Sequence, residues 1–413
     1  MTDAPVSQPY DVEAIRADFP ILARKVHGKP LVYLDNGASA QKPKVVLDTM
    51  MQAYGMEYAN VHRGLHYLSN TATQHFEDAR ETVRAFLNAP SVDEIIFTRN
   101  ATEAINLVAA SYGGMVLKEG DEVVLTIMEH HSNIVPWHFH RERRGAVLKW
   151  APIADDGTFL LDEFEKLLGP RTKIVAITQM SNALGTVVPI KEVVRLAHAR
   201  GIPVLVDGSQ AAVHMNVDVQ DLGCDFYVFT GHKTYGPTGI GVLWAKRAHL
   251  DAMPPYMGGG EMIEAVHQDV ITYGRTPHKF EAGTPAIVPA IGLGAALRYM
   301  MDVGRDNIAA HEAGLRDYAH ERLRELNWLK IHGTAKDKGA IVSFSIEGLH
   351  PHDISTIIDR SGVAVRAGHH CAQPLMERLG VPATCRASFA MYNTRREVDA
   401  LVEALIKARE FFA

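Results

Sequence analysis

Short runs rich in β-branched and aromatic residues alternate with amphipathic segments through the first two thirds of the chain. The runs that predict strands are residues 31–34, 94–98, 122–126, 173–179, 204–207 and 226–230. Most of them are separated by segments with helical periodicity, such as residues 45–58, 72–87 and 187–200. This alternation is typical of an α/β fold with a mainly parallel sheet.

Two departures from strict alternation shape the predicted architecture. Residues 239–245 follow the run 226–230 with too little chain for a helical crossover, so one strand there is expected to run antiparallel. From about residue 291 the pattern changes to long helices with one strand-like run, residues 341–346. We therefore predict a large domain at residues 31–290 with a mixed, mainly parallel sheet flanked by helices. A smaller C-terminal α+β domain follows at residues 291–413, and residues 1–30 are expected to pack against it.

Polar residues directly follow five of the predicted strands. In chain order they are Asn100 and Thr102, Glu129 and His130, Ser181 and Asn182, Asp207 and Gln210, and Thr230, His232 and Lys233. In an open α/β sheet the ligand crevice lies beyond the carboxyl ends of the strands, so these side chains are expected to meet. Alone, a lysine after a strand is most often a solvated loop residue and an aspartate is a helix cap.

The set of residue types matches one cofactor. Pyridoxal phosphate needs a lysine for a Schiff base, an acid that pairs with its pyridinium nitrogen, and phosphate donors at a helix N-terminus. A dinucleotide site fits poorly, because Gly292 and Gly294 lie in a helix-like segment and the third glycine of that motif is missing.

Composition narrows the class of protein. The net charge is -6 and no long basic run occurs, which argues against a nucleic-acid partner. The first twenty residues are acidic and lack an apolar block, and residues 286–297 are too short to span a bilayer, so a cytoplasmic location is expected. Three cysteines cannot form a disulfide framework and are expected to be thiols in a reducing compartment.

Longer motifs resemble a known family. They are Tyr33-Leu34-Asp35-Asn36, the segment 128–137, Val206-Asp207-Gly208-Ser209-Gln210, Gly231-His232-Lys233, the segment 280–285 and Arg366-Ala367-Gly368-His369-His370-Cys371. Over nearly the whole chain the sequence resembles the SufS-type (group II) cysteine desulfurases of the aminotransferase class V superfamily, which are pyridoxal-phosphate enzymes of fold type I.

The resemblance implies a role for each matched residue. Lys233 holds the cofactor as a Schiff base, Asp207 pairs with the pyridine nitrogen, and His130 stacks on the ring and moves protons. Asn182 and Gln210 lie by the ring, and the phosphate is bound by Thr102, Thr230 and His232, with Thr284 from the other subunit of a homodimer. Arg386 holds the substrate carboxylate, Asn182 lies near it, and Arg366 lies close to the active cysteine. Arg366 and Arg63 are candidate substrate-binding residues, with a structural salt bridge as the alternative for each. The chain departs from many relatives at Asn100-Ala101, which puts the identity of one phosphate contact in doubt.

Cys371 is the predicted sulfur acceptor. It lies near His369 and His370 and just before Pro374, which is typical of a helix start, and such a setting favours the thiolate. The alternative for a lone cysteine is a small buried hydrophobe, which we favour for Cys224 and Cys385. His369, His370 and Cys371 could also be zinc ligands, but adjacent residues rarely all point at one ion, so no metal site is predicted.

The resemblance implies conversion of L-cysteine to L-alanine, with a persulfide on Cys371 that passes to a SufU- or SufE-type acceptor for iron–sulfur cluster assembly. L-selenocysteine is a second expected substrate. The segment His350-Pro351-His352-Asp353 is similar to that of SufU-using relatives, so His352 is a candidate acceptor contact, with a plain surface histidine as the alternative. Two other functions stay open: a class V aminotransferase that does not need Cys371, and a scaffold or zinc-binding protein that needs neither Lys233 nor Asp207.

Overall fold

The computed structural model describes residues 10–412. The α-helices are α1 Val12–Ala17, α2 Lys44–Met56, α3 Tyr67–Leu87, α4 Ala101–Val108, α5 Gly114–Val116, α6 Val135–Arg144, α7 Leu161–Leu167, α8 Ile190–His198, α9 Ala211–His214, α10 Val219–Leu222, α11 Arg247–Ala252, α12 Ile287–Val303, α13 Arg305–Arg324, α14 Pro351–Asp359, α15 Gln373–Leu379 and α16 Arg395–Phe412. The strands are β1 Lys25–Val26, β2 Lys29–Pro30, β3 Val32–Tyr33, β4 Ile95–Thr98, β5 Glu122–Thr126, β6 Val147–Ala151, β7 Thr172–Thr178, β8 Val204–Asp207, β9 Phe226–Thr230, β10 Gly241–Ala245, β11 Ile263–Val266, β12 Ile271–Tyr273, β13 Leu329–His332, β14 Ile341–Ile346, β15 Val363–Ala364, β16 Arg366–Gly368 and β17 Thr384–Ser388.

A seven-stranded sheet forms the centre of the molecule, in the order β4-β10-β9-β8-β7-β5-β6. Strands β6, β5, β7, β8 and β9 pair in parallel, whereas β10 pairs antiparallel with both β9 and β4. The predicted mixed, mainly parallel sheet is therefore confirmed, including the antiparallel strand after residue 239.

The central strands are apolar because both of their faces are covered. Successive residues of β8 enter different hydrophobic clusters: Val204 and Val206 pack on one side of the sheet, and Leu205 packs on the other. This follows from the two-residue period of a strand. It also explains why these strands show continuous apolar runs rather than an alternation of polar and apolar residues.

A second sheet, of four antiparallel strands in the order β13-β14-β17-β16, lies in the C-terminal part. Its core contains Phe344, Cys385 and Leu401 together with residues of α13, α14 and α16. The boundaries of this core differ from the predicted ones. Helix α12 packs with α2 and α3 in the core of the large sheet, and β3 pairs with β15 beside the second sheet.

The segment before β1 contacts both parts of the molecule. Phe19 and Leu22 are buried in the core of the large sheet. Arg16 forms an ion pair of 2.9 Å with Glu397 at the start of α16, and the Tyr10 hydroxyl donates to the Met391 carbonyl at 2.6 Å. The N-terminal segment, as far as it is described, therefore links the two cores rather than packing on the small one alone.

Helix α12 is also the most apolar long helix. Within residues 10–412 no single helix is long and apolar enough to cross a membrane, and only the pair α12 and α13, bent by 76°, meets the criterion by length and composition.

Candidate active site

The carboxyl ends of the parallel strands border a cavity of about 170 Å³. The predicted site residues that line it are Thr102, His130, Asn182, Asp207, Gln210, Thr230, His232, Lys233, Arg366, Cys371 and Arg386. Strand order explains the convergence, because β5, β7, β8 and β9 are neighbours and all point the same way. Arg366, Cys371 and Arg386 come from the second sheet and the turn after it.

Three predicted residues lie outside this cavity. Thr284 is exposed and lines a different groove with Phe97 and Tyr256. Arg63 is exposed, and its Nε lies 2.7 Å from Glu261 Oε1. His352 is exposed in the first turn of α14. Arg63 therefore forms a salt bridge, which was the alternative prediction for it. Thr284 does not line the cavity of the chain to which it belongs.

Asp207 is fixed at the end of β8 by the turn that follows it. Its Oδ1 accepts from the Ser209 backbone N–H at 2.9 Å and from the Ser209 hydroxyl at 2.6 Å. Gly208 makes this turn possible, since a Cβ there would lie 2.0 Å from the buried Tyr227 ring. Among the described residues Asp207 Oδ2 has no hydrogen-bond partner, so one carboxylate oxygen is left for a ligand.

Lys233 and His130 share the cavity wall, and Lys233 perturbs the imidazole. Burial lowers the pKa of Lys233 to about 8, against the opposing effect of Asp207. Burial and the nearby Lys233 lower the pKa of His130 to about 3, so its imidazole is neutral at physiological pH. Its Nδ1 accepts from the Ser132 backbone N–H at 3.1 Å, which puts the ring proton on Nε2.

The N-terminus of α4 opens into the cavity beside Thr230 and His232. The Asn100 side chain caps this helix, because its Oδ1 accepts from the Glu103 backbone N–H at 2.9 Å. The N–H groups of Ala101 and Thr102 have no partner within residues 10–412, as expected for the first turn of a helix. Asn100 thus has a capping role, and the two backbone N–H groups beside it are left free.

These residues fit pyridoxal phosphate. Free helix N–H groups and a buried Thr230 Oγ1 without a partner suit a phosphate, and the free Oδ2 of Asp207 suits a protonated ring nitrogen. Asn182 Oδ1, His370 Nδ1 and Arg386 Nε are also buried without a partner among the described residues. Unpaired buried polar atoms are costly, so their concentration around one cavity indicates a polar ligand.

Arg386 is buried between the two sheets. Its Nη1 donates to the Asn182 carbonyl at 2.7 Å, and its Nη2 lies 3.2 Å from Asp35 Oδ1. Gly37 allows this close packing, since a Cβ there would lie 3.2 Å from the guanidinium carbon. Burial raises the pKa of Asp35 against the opposing effect of Arg386 and Arg366.

Cys371 is half-buried in a turn of unusual backbone conformation. Both His370 and Cys371 are left-handed, with φ of 53° and 54°, which costs about 1–3 kcal/mol for each non-glycine residue. The turn is held by three bonds to its surroundings: Asn182 Nδ2 to the His370 carbonyl at 2.6 Å, the His131 N–H to the Cys371 carbonyl at 2.7 Å, and Gln373 N–H to His131 Nε2 at 3.2 Å. Helix α15 begins two residues later with Pro374 in its first turn, as predicted.

The other two thiols are buried in apolar surroundings. Burial raises the pKa of Cys385 to about 12 and that of Cys224 further still. Both therefore stay protonated, and each packs in a hydrophobic cluster. The prediction that they are small hydrophobes agrees with this placement.

No role was predicted from the sequence for Glu129, Asp35 or His131, which the structure places around the site. Glu129 is buried and ties β5 to β7, because Oε1 accepts from the Thr178 N–H at 2.9 Å and Oε2 from Asn133 at 2.8 Å. Burial raises its pKa to about 7. Asp35 and His131 lie inside the motifs quoted above, but only tertiary packing shows that they contact Arg386 and the Cys371 turn.

Comparison with known proteins agrees with the site. The family model of class V aminotransferases matches residues 32–401. A cysteine desulfurase of Enterobacter sp. is 52% identical over 397 residues, which cover 96% of this chain and 98% of that protein. The crystal structure of the cysteine desulfurase CsdA from Escherichia coli, in an S-sulfonic acid form, matches with a TM-score of 0.90, 40% identity and coverage of 98% and 100%. The apo structure of a cysteine desulfurase from Thermococcus onnurineus matches with a TM-score of 0.92 and 38% identity, over 99% of this chain and 100% of that one.

Proposed function

The chain belongs to the aminotransferase class V family, and from this we propose that it is a pyridoxal-phosphate-dependent cysteine desulfurase. The observation that carries the proposal is that Lys233, Asp207 and Cys371 line one cavity. An amine and a carboxylate suit the cofactor, and a thiol beside them suits sulfur transfer. A class V aminotransferase has no use for the thiol.

The cofactor's chemistry is an electron sink for the pair left when the α-proton of the bound amino acid is removed. Asp207 has the free oxygen that would keep the ring nitrogen protonated. Thr102, Thr230, His232 and the α4 N-terminus would hold the phosphate, and Gln210 lies at the same wall, with its Nε2 donating to the Gly37 carbonyl at 2.8 Å.

Lys233 is suited both to attach the cofactor and to move a proton. With a pKa of about 8, a sizeable fraction of its amine is neutral near neutral pH, and only the neutral amine is a nucleophile or a base. His130 is neutral with its proton on Nε2, so it stacks on a ring without adding a positive charge.

Arg386 is the proposed anchor of the substrate carboxylate. It is buried, it is fixed by Asn182 and Asp35, and its Nε has no partner in the part of the chain described here. Arg366 is exposed at the rim, with Nη1 4.0 Å from Asp35 Oδ2. A buried guanidinium at the floor and an exposed one at the rim would orient the amino acid before sulfur transfer.

Cys371 would then accept the sulfur. Its thiolate attacks the sulfur of the substrate, the new S–S bond forms, and the Cβ–S bond breaks with its electron pair left on the carbon fragment. That fragment takes one proton at Cβ, and the Lys233 amine returns the α-proton to Cα, so alanine leaves and the enzyme keeps a persulfide. L-selenocysteine is a second proposed substrate, since selenium is the better leaving atom.

The persulfide must leave the enzyme, so we propose an acceptor protein of the SufU or SufE type that supplies iron–sulfur cluster assembly. Cys371 is half-buried next to the exposed His369, which lets another protein approach it. The His352 imidazole is exposed and has no hydrogen-bond partner within residues 10–412, which suits a contact with the zinc of a SufU-type acceptor.

A homodimer is proposed because several large apolar side chains are exposed within one stretch of the chain, residues 51–67. They and their exposures are Met51 72%, Tyr54 56%, Met56 70%, Leu65 99% and Tyr67 79%. Exposed apolar side chains of this size suit a contact with a partner subunit. Thr284, which is exposed away from its own cavity, would then reach the phosphate of the partner's cofactor. The three thiols are all free, which suits the proposed cytoplasmic location.

The function is tested by measuring alanine and sulfide released from L-cysteine in the presence of a reductant. Equal amounts from the wild-type protein and loss of both in Cys371→Ser are expected, while Cys224→Ser serves as the control that keeps the activity. Amino-group transfer to a keto acid by Cys371→Ser at the wild-type rate would instead support an aminotransferase.

The acceptor is tested in the same assay with added SufU- or SufE-type protein. For each variant the stimulated rate is divided by its own unstimulated rate. Stimulation by the SufU-type protein that is lost in His352→Ala and kept in His138→Ala supports the contact, whereas equal stimulation of both variants contradicts it.

A further inference from the structure

A cluster of three metal-ligating side chains lies at the rim of the cavity. Ligand atoms of His131, His369 and Cys371 all lie within 4.8 Å of one another. His370, although it stands between two of them in the sequence, points inward, with its Nε2 2.9 Å from Thr384 Oγ1. The third member is therefore His131, from the turn after β5, and not the neighbouring histidine.

The backbone holds the three side chains together. The His131 N–H donates to the Cys371 carbonyl at 2.7 Å, so the two turns are joined directly. The Cys371 N–H donates to His369 Nδ1 at 3.1 Å, which folds that imidazole back over the turn. The bond between the His131 N–H and the Cys371 carbonyl involves no ring nitrogen, so it keeps the two turns together when a ligand binds and lowers the entropy cost of binding.

We propose that the His131–His369–Cys371 cluster binds a soft divalent cation, of which Zn²⁺ is the natural example. Thiolate and imidazole are both donors that Zn²⁺ accepts, and a site with three protein ligands keeps a fourth position for water or an incoming ligand. The Cys371 thiol gives its proton to solvent when the ion binds. His369 is exposed and the other two residues are half-buried, so the ion has open access from solvent.

The site is built for exchangeable binding. His369 Nδ1 and His131 Nε2 each accept a backbone N–H, and the other nitrogen of each neutral ring then carries the proton. A neutral imidazole has one nitrogen lone pair, and the metal needs it. Binding therefore breaks these two hydrogen bonds, and each loss lowers the affinity for the metal roughly two- to tenfold.

Metal binding would also inhibit the enzyme, and this part of the inference rests on the proposed function. A thiolate that is bound to the ion cannot attack the sulfur of the substrate. The bound cation is therefore expected to stop persulfide formation, while the cofactor residues Lys233 and Asp207, which are not part of the cluster, stay unaffected.

Binding is measured first, without reference to activity. The holoenzyme, stripped of metal with a chelator, is titrated with Co²⁺, whose tetrahedral complexes absorb in the visible beyond the cofactor band, and Zn²⁺ is then added in competition. We expect one ion per chain, displaced by Zn²⁺, and at least about tenfold weaker binding in His369→Ala and Cys371→Ser. His138→Ala, which removes a half-exposed histidine of α6, is the control and keeps wild-type affinity.

Circular dichroism and cofactor absorbance verify that each variant is folded and loaded. Because His369→Ala also removes a backbone acceptor, Cys371→Ser gives the second, independent removal of a ligand. An absent visible band, or wild-type affinity in Cys371→Ser, overturns the site.

Inhibition is measured second, as alanine formation in the presence of Zn²⁺. We expect half-inhibition at the concentration that half-fills the site, reversal by chelator, and at least about tenfold more Zn²⁺ for the same inhibition of His369→Ala. Metal-free protein that binds Co²⁺ but forms no alanine would refute the proposed function and leave the site standing. Full activity without Co²⁺ binding would refute the site alone.

Discussion

Gly208→Ala tests whether the Asp207 turn is as tightly packed as the structure indicates. A Cβ at this position would lie 2.0 Å from Tyr227 Cζ and Oη and 2.4 Å from Cε1. The ring cannot simply move aside, because Tyr227 is fully buried and its hydroxyl donates to Gln179 Oε1 at 2.8 Å. The backbone of Gly208 is also held in place, because its N–H donates to the Val228 carbonyl of β9 at 2.8 Å. Overpacking of this kind costs about 1–3 kcal/mol or more.

Relief of the clash between the added Cβ and Tyr227 would displace Asp207, the preceding residue in the chain. We expect Gly208→Ala to lower the urea midpoint of unfolding, followed by tryptophan fluorescence, and also to reduce the pyridoxal phosphate retained after dialysis. Gly258→Ala is the matched control, because a Cβ there meets nothing within 4 Å, and its stability should change by less than about 0.5 kcal/mol. Equal midpoints and equal cofactor content in the two variants would refute the argument.

Three further predictions concern charge. Arg80→Ala removes the buried partner of Glu281, to which Arg80 donates at 2.7 and 2.9 Å. It should lower the free energy of unfolding, measured by urea titration, by about 3–5 kcal/mol. Arg84→Ala, on the surface of the same helix, should not lower it by this amount. Although burial raises it, the pKa of Glu77 is lowered to about 2 by His62 and Arg80. A carboxyl group with a lowered pKa in the folded state stabilises the protein at pH values above the ordinary glutamate pKa of about 4.3, and this stability is lost as the pH falls toward 2. Glu77→Gln should therefore make the free energy of unfolding less dependent on pH in this range. Uptake of pyridoxal phosphate by the cofactor-free protein, followed by absorbance, should speed up through the Lys233 pKa of about 8 and level off above it. In Asp207→Asn the midpoint should shift down, because the carboxylate that favours the charged amine is gone, and an unshifted midpoint would contradict this assignment.

The convergence of polar residues could be predicted because it depends on topology alone. Once β5, β7, β8 and β9 are parallel neighbours, the residues that follow them must meet at one edge. The antiparallel β10 could be predicted from chain length for a similarly local reason. Both features follow from the order of the segments and the lengths of their connections, which can be determined from the sequence without knowing how the side chains pack.

Other features depend on packing and could not be predicted. Strand β6 was missed because, at the edge of the sheet, it mixes exposed Val147 and half-buried Lys149 with buried positions and shows no continuous apolar run. The expected boundary at residue 291 falls inside α12, which packs in the core of the large sheet, and the sequence of an apolar helix does not tell which core it covers. The metal-binding trio was missed because it includes His131, which is 240 residues away from Cys371 in the sequence.

The position of the thiol depends on how the two sheets pack. Arg386 of β17 donates to the Asn182 carbonyl, Asn182 Nδ2 donates to the His370 carbonyl, and Ser343 Oγ of β14 donates to the Ala183 carbonyl at 2.6 Å. These bonds join the loop after β7 of the large sheet to the second sheet and to the Cys371 turn. The left-handed turn is strained, so it persists only while such contacts hold it. Lys233 and Asp207, the proposed cofactor residues, follow strands of one sheet, whereas the position of Cys371, the proposed sulfur acceptor, depends on both sheets. A change at the contact between the sheets should therefore impair sulfur transfer before it impairs cofactor binding.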